Sequence, residues 1–326
     1  MIVVIIATMI KKTTMRLLSI LIPVYNEAEC VGLLYERLIK MAETMPCDVE
    51  FWFVNDGSRD HSLALIKQLQ DQDGRVAYID LSRNYGKEIA MCAGIDFVCG
   101  DTLVVMDADL QHPPELIPVM YEELQKGYDD VYGLRMNRKG ESWLKRWASK
   151  RYYKMLQNFS RIPIQENAGD FRMFSRKAID ALRQLKENER NMKALFSYIG
   201  FKKKAVAYEV EPRIAGKTKW NWFQLTDLGI KGLTSFSTVP LRVISFMGFI
   251  ISFFSFVYMM YVIIKAMIFG DPVIGFPSLM AVLLFLGGVI LLALGIIGEY
   301  IGVIYNESKK RPVYFINEYK KTSKSL

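Results

Sequence analysis

Three short polar clusters follow apolar runs in this chain, and each carries groups able to do chemistry. The sharpest is Asp107-Ala108-Asp109, directly behind Thr102–Met106. Two carboxylates at that spacing can share a hard divalent cation, with Gln111 and substrate oxygens completing the shell. Mg²⁺ and Mn²⁺ favour such all-oxygen sites, built from one or two carboxylates and phosphate oxygens. Taken alone, the pair also fits a plain polar strand end. Two more polar clusters, Asn26-Glu27 and Asn55-Asp56-Gly57-Ser58, follow Leu17–Val24 and Val49–Asn55 in the same way. By itself Asp56 reads as a turn residue. Recurrence at three run ends is what points to a site.

The elements that must position these clusters alternate. Leu17–Val24, Val49–Asn55, Val76–Leu81 and Thr102–Met106 are short apolar runs of the kind a buried parallel strand requires. Between them, Glu27–Glu43, Asp60–Gln70 and Lys87–Val98 have helical spacing, with Val31, Leu34, Leu38 and Met41 on one side of the first. Strands and helices in alternation predict an open, mostly parallel α/β sheet covered by helices. Such sheets bind ligands at the carboxyl ends of their strands, where all three clusters lie.

Charge divides the chain. Of 42 basic and 34 acidic residues, 27 of each fall within residues 1–201, so the whole net charge of +8 belongs to residues 202–326. That basic half holds two uncharged apolar runs, Val243–Ile264 and Val273–Gly298, of 22 and 26 residues. Each exceeds the roughly 20 residues a spanning helix needs. Lys217, Lys219, Lys231 and Arg242 precede them, and Lys309, Lys310, Arg311, Lys320, Lys321 and Lys324 follow. The positive-inside rule then predicts a hairpin with both ends in the cytoplasm. The charge is thus a membrane signal, and no nucleic acid is expected as a partner. Gly140–Phe159 and Trp220–Phe236 mix aromatic and basic residues as interfacial helices do. Gly298 and Gly302 form a small-x-x-x-small pair, a candidate contact for a homo-oligomer through the transmembrane helices. Met1–Ile10 is apolar but too short to span, so residues 1–14 read as an extension. Cys30, Cys47, Cys92 and Cys99 lack metal-site spacing, and with only His61 and His112 present a structural zinc is excluded. Buried free thiols are expected.

At this point the motifs carry a resemblance. Ile22-Pro23-Val24-Tyr25-Asn26-Glu27, Asn55-Asp56-Gly57-Ser58 and Asp107-Ala108-Asp109-Leu110-Gln111-His112-Pro113-Pro114 resemble, in order and spacing, the family 2 glycosyltransferases of the GT-A fold. Arg83-Asn84-Tyr85-Gly86-Lys87, Gly169-Asp170-Phe171-Arg172 and Gly216-Lys217-Thr218-Lys219 are similar to its polyprenyl-phosphate branch, which includes bactoprenol glucosyltransferases and dolichyl-phosphate mannose synthases. The resemblance covers about residues 16–310. It implies that Pro23, Tyr25, Glu27, Asp56, Lys87 and Asp107 bind the nucleotide sugar. Asp107, Asp109 and Gln111 would hold Mg²⁺ or Mn²⁺, and Asp170, with Asp109, would stand at the reacting centre. Arg135, Arg138, Arg172, Lys217 and Lys219 would be candidates for the acceptor phosphate. Arg172 could instead pair with Asp170, and Lys87 could cap its own helix.

The implied reaction moves a sugar, best read as glucose from UDP-glucose, onto polyprenyl (undecaprenyl) phosphate, with inversion to a β-linked product. GDP-mannose or an amino-sugar nucleotide is the alternative donor. An alternative of another class is a non-catalytic partner of a lipid-sugar flippase, against which the two intact carboxylates argue. A processive synthase would need a Gln-x-x-Arg-Trp motif, which is absent, and no G-x-G-x-x-G follows the first strand, which sets aside a nicotinamide enzyme. The expected organisation is an extension (1–14), a cytoplasmic catalytic domain (15–215) and a juxtamembrane segment (216–242). A hairpin (243–303, with spans near 243–266 and 273–299) and a basic tail (304–326) follow. The expected location is the inner (plasma) membrane, with both termini cytoplasmic.

Overall fold

The computed structural model describes residues 17–136, 168–185, 187, 190–209, 239–269 and 275–323. These fall into two compact units, one built on a sheet and including the tail from Arg311, the other ending at Lys310.

The first unit opens with the expected alternation. Strand β1 (Leu17–Val24) leads to α1 (Ala28–Ala42), β2 (Asp48–Asn55), α2 (Ser62–Gln72), β3 (Val76–Leu81), α3 (Lys87–Phe97) and β4 (Thr102–Val105). A 3-10 turn at Pro114–Leu116 and α4 (Ile117–Gln125) follow. Next come β5 (Asp130–Arg135), β6 (Ala168–Ser175), α5 (Arg176–Gln184), α6 (Met192–Tyr198) and β7 (Lys203–Tyr208). The last strand, β8 (Ile316–Lys320), comes from the tail.

The strands form one mixed, mostly parallel sheet in the order β7-β5-β6-β4-β1-β2-β3-β8. Parallel pairs join β1 to β2 and β4, β2 to β3, and β5 to β7, while β6 runs antiparallel to both β4 and β5. Successive side chains of β1 serve opposite faces. Leu18, Ile20 and Ile22 pack with Val31, Leu34 and Leu38 of α1, whereas Leu21 packs with Ala90 and Met91 of α3 and with Leu195 and Phe196 of α6. Both faces of the central strands are covered, which is why those strands read as largely apolar runs. Close packing of α3 on β1 requires Gly94, because a Cβ there would stand 2.0 Å from Leu21 Cδ1.

The basic tail adds a strand to the sheet. Strand β8 pairs antiparallel with β3 and covers an edge whose backbone groups would otherwise lie open. Asn317 Nδ2 donates to Asp80 Oδ2 at 2.9 Å, and Lys320 Nζ stands 3.3 Å from Asp71 Oδ1. The thiols are all free, as expected, but Cys99 is exposed.

The second unit holds two long helices, α7 (Val239–Phe269) and α8 (Phe276–Ser308), each longer than its expected span. Among the described residues one stretch, Phe285–Ser308, is long and apolar enough to cross a membrane by length and composition, and Phe246–Tyr258 is a shorter apolar helical stretch. Residues 1–14, the two expected interfacial stretches, and Arg138, Lys217 and Lys219 lie outside the described residues.

Candidate active site

The three clusters meet at the carboxyl ends of β1, β2 and β4, tied by short-range bonds. Asp56 N–H donates to Val24 O at 2.8 Å and Met106 N–H to Leu21 O at 3.0 Å, carrying the strand alignment into the loops. Asn26, at φ 55°, turns the chain after β1. Its N–H donates to Ser58 Oγ at 3.0 Å, and its Oδ1 accepts Arg59 N–H at 2.8 Å. Glu27 N–H donates to Ser62 Oγ at 2.9 Å. The loops after β1 and β2 are therefore one bonded unit. Pro23 is buried within β1, and Tyr25 stands at the rim, 38% exposed.

Asp56 is committed to the protein. Its Oδ1 accepts Tyr85 N–H at 2.7 Å, and its Oδ2 accepts Gly86 N–H at 2.9 Å and Asn84 Nδ2 at 3.0 Å. It is 2% exposed, so its first task is to pin the loop 82–86 that leads into α3. Gly57 permits that approach: at φ +63°, a Cβ would lie 2.5 Å from Arg83 C and 2.6 Å from Asn84 N.

The pinned loop delivers Lys87 to the centre of the site. Its Nζ lies 2.5 Å from Asp107 Oδ1 and 2.6 Å from Asp170 Oδ2, bridging the carboxylates of β4 and β6. Burial would raise Asp107, but the charge of Lys87, reinforced by Arg135, overcomes it and holds the carboxyl down to about 2. Burial likewise opposes ionisation of Asp170, and Lys87 and Lys193 outweigh it, so the carboxyl stays below its ordinary value. Lys87 is desolvated yet held above the usual lysine range by its two partners. The remaining oxygen of Asp170, Oδ1, is buried and has no hydrogen-bond donor among the described residues.

The Asp107–Pro114 turn is tightly folded. Leu110 is buried at φ 62°, a conformation costing a bulky residue about 1–2 kcal/mol. The turn brings Gln111 N–H to 3.2 Å from Asp109 Oδ1 and tucks His112 under Asp107, whose N–H donates to His112 Nδ1 at 3.2 Å. The imidazole is fully buried, stacked 5.0 Å from the Phe171 ring, with Nε2 3.3 Å from Arg135 Nη2. Burial lowers its affinity for a proton, and the nearby Arg135 adds to that effect. Arg135 Nε also donates to Tyr208 OH at 3.2 Å, so this guanidinium is aimed from β5 toward the Asp107 turn.

Asp107, Asp109 and Gln111 are hard oxygen donors carried on one turn. No group of three or more His, Cys, Asp or Glu side chains among the described residues could hold a metal ion unaided. The donor set fits Mg²⁺ or Mn²⁺ of the kind completed by substrate phosphate and water, and it does not fit zinc.

One expected acceptor-phosphate residue is placed elsewhere. Arg172 is 1% exposed, its Nη1 is 2.9 Å from Asp130 Oδ2, and its Nε donates to Gly169 O at 3.2 Å. Its guanidinium carbon lies 5.1 Å from the Tyr132 ring centroid and 5.2 Å from that of Phe196. It pairs with Asp130 inside the sheet, not with Asp170. Two neighbours of the site went unmarked in the sequence, Glu88 and Lys193. Glu88 follows Lys87 without any motif of its own, and Lys193 joins the site only through folding, so neither carried a local signal.

Residues 19–183 match glycosyl transferase family 2, and residues 239–304 match the GtrB C-terminal hairpin. An uncharacterised glycosyltransferase of Synechocystis is 42% identical over 301 residues, 92% of this chain and 95% of that one. The putative glycosyltransferase CsbB of Bacillus subtilis is 44% identical over 310 residues, 95% of this chain and 94% of its own. The bactoprenol glucosyl transferase of Shigella phage SfV is 41% identical over 303 residues, 93% of this chain and 99% of its own. With the clustered carboxylates and matches that span nearly the whole length of each relative, the chain belongs to glycosyl transferase family 2.

Proposed function

We propose that this protein transfers glucose from UDP-glucose to polyprenyl phosphate at the cytoplasmic face of the inner membrane, giving a β-linked lipid-phosphate sugar and UDP. The observation that carries the reading is the Lys87-bridged pair Asp107 and Asp170 at the strand ends, in a chain aligned end to end with bactoprenol glucosyl transferases. In this reading residues 15–215, with the tail strand, are catalytic. Residues 216–242 are juxtamembrane, and residues 243–303 form a hairpin with both ends inside, as the flanking lysines and arginines favour.

The chemistry follows from charge. Asp107, Asp109 and Gln111 would hold Mg²⁺ or Mn²⁺, which as a Lewis acid supplies neutralisation of charge on the leaving diphosphate. Asp56 fixes the loop that carries Lys87, and Pro23, Tyr25 and Glu27 frame the nucleotide end. The acceptor is a phosphate monoester with a second pKa near 6, so it is mostly ionised at neutral pH. Its attack needs placement and relief of repulsion between two anions. Arg135 serves that role, with Arg138, Lys217 and Lys219 as further candidates. Asp170 Oδ1, buried without a donor, suits a sugar hydroxyl. A single displacement inverts the anomeric carbon.

The test is a panel of radiolabelled nucleotide sugars with polyprenyl phosphate, Mg²⁺ and the full chain in detergent. Organic-phase label from UDP-glucose alone is the expected result. Label from another donor only would replace the sugar, and no label from any donor would overturn the reading.

A further inference from the structure

The segment that follows the hairpin in sequence is fastened to the carboxyl end of β3 and to the unit that carries Lys87. Tyr314 OH donates to Asp96 Oδ2 of α3 at 2.9 Å, and Phe315 O accepts Ser82 N–H at 2.9 Å where the loop 82–86 begins. Strand β8 then carries a one-residue bulge. Its register on β3 passes from Ile316 opposite Leu81 to Glu318 opposite Asp80, so Asn317 is the extra residue. Bulges re-aim side chains, and this one delivers the Asn317 amide to Asp80 Oδ2 at 2.9 Å. The other oxygen, Asp80 Oδ1, accepts Asn55 Nδ2 at 2.7 Å, and Asn55 Oδ1 faces Ser58 N–H at 3.4 Å. A line of side chains thus crosses β8, β3 and β2 at their ends. Asp80 is 5% exposed, and two amides, not a cation, satisfy its carboxylate. Loss of the Asn317 amide leaves a buried oxygen without its donor, and that oxygen then competes for the amide of Asn55. Asn55 directly precedes Asp56, which pins the loop that delivers Lys87.

We propose that Asn317 is a positioning residue of the nucleotide site. Through Asp80 and Asn55 it sets the loop Asp56–Ser58, so the site is complete only when the segment beyond the hairpin has docked on β3. The inference rests on the glycosyl transfer reading above for the identity of its ligand, a nucleoside diphosphate. What the line requires is one donor facing one acceptor between positions 317 and 80. An amide at position 80 can keep its oxygen toward Asn55 and offer its N–H to a carboxylate at position 317, so the pair can be exchanged.

Three variants of the full chain in detergent test this: Asn317→Ala, Asn317→Asp and the double Asp80→Asn/Asn317→Asp. Each is titrated calorimetrically, well below its melting temperature, with UDP plus Mn²⁺ and with GDP plus Mn²⁺. A short-chain polyprenyl phosphate is titrated separately, and a thermal melt checks the fold. Asn317→Ala is expected to weaken the nucleotide that the parent binds about five- to tenfold, within the range of one hydrogen bond to a charged group, while the lipid phosphate binds as before. Asn317→Asp sets two carboxylates face to face and weakens the nucleotide further. The double variant restores it to within about twofold of the parent. Unchanged nucleotide affinity in Asn317→Ala, with or without a lower melting temperature, would make the tail an edge cover alone and overturn the inference. A double variant as weak as Asn317→Asp, or an equal loss for the lipid phosphate, would overturn it too. If the variants show the expected pattern but the parent forms no lipid-linked sugar, the proposed function fails and the positioning inference stands. A parent that binds neither nucleotide overturns both.

Discussion

Replacing Arg172 with methionine separates a buried structural cation from a phosphate ligand. The side chain lies 2.9 Å from Asp130 Oδ2, and the two residues are 1% and 0% exposed. Methionine keeps the bulk between Tyr132 and Phe196 but leaves Asp130 without its nearest counter-charge. Removing one partner of a buried pair costs about 3–5 kcal/mol. Lys203 Nζ, 3.7 Å from the same oxygen, remains and places the loss near the lower end. About 3 kcal/mol corresponds to a fall of about 6–12 °C in the melting temperature of a domain of this size. Burial already raises the Asp130 carboxyl despite Arg172 and Lys203. Without Arg172 it rises further, so the folded variant prefers the protonated form. The deficit is then full above that raised value and shrinks as the pH falls toward the parent's own lower value, since the unfolded state is the same in both and cancels. Thermal melts of the detergent-solubilised chain between pH 5 and 8 measure this, and Asp130→Asn/Arg172→Met should recover part of the loss. A variant that melts as the parent does, with a raised acceptor KM, would refute the structural assignment and restore Arg172 to the phosphate site.

Gly57→Ala drives a Cβ into Arg83 and Asn84 at φ +63° and should destabilise the chain by about 1–3 kcal/mol while weakening UDP binding in calorimetry. Ending the chain after Arg311 uncovers β3 and removes the Asn317 bond to Asp80; a fall of about 5–10 °C in melting temperature and faster proteolysis are expected. Burial, reinforced by Asp170, pushes Glu88 up to about 7 from 4.5, so its stabilising contribution is complete below about pH 4.5 and lost as pH rises through 7. At about 1.4 kcal/mol per unit this is at most about 3 kcal/mol, and urea melts of Glu88→Gln should show a flatter pH profile than the parent. Asp170→Asn should lower kcat by about ten- to a hundredfold without moving the pH profile above 6, since positioning and not proton removal is lost; a thousandfold loss with a displaced profile would contradict that.

Much of this architecture was legible because its signals are local. The runs Leu17–Val24, Val76–Leu81 and Thr102–Val105 are mostly apolar, broken by Ser19, Asp80 and Thr102, because both faces of each strand are covered, and Asp107-x-Asp109 stands out because it follows one of them. Roles set by distant partners were not legible. Arg172 was a phosphate candidate through the motif it shares with Asp170, but its partner Asp130 is 42 residues away and nothing at either position announces the pair. Glu88 and Met192 meet across 104 residues. The tail strand was not legible for a related reason. Ile316–Lys320 reads Ile-Asn-Glu-Tyr-Lys, a pattern too polar for a buried strand, yet right for an edge strand with one side to water. Asp56 was legible as important, but its bonds into loop 82–86 were not, because backbone donors such as Tyr85 N–H and Gly86 N–H leave no mark on residue type.

Lys87 decides what kind of group Asp170 is. An efficient general base has a pKa near the operating pH, so that it is free to take a proton and able to hold it. The charges of Lys87 and Lys193 move Asp170 the other way, despite burial. A carboxylate so stabilised is a weak base and a dependable hydrogen-bond acceptor. That trade would harm an enzyme whose acceptor is a sugar hydroxyl, which must lose a proton to attack. It costs nothing when the acceptor is a phosphate monoester, already ionised near neutral pH. The difficulty moves instead to bringing two anions together, and the site answers with cations. Lys87 rises from the start of α3, and Arg135 extends from β5 to within 3.3 Å of the ring of His112. A depressed Asp170 beside Lys87 fits the proposed phosphate acceptor, which needs no general base.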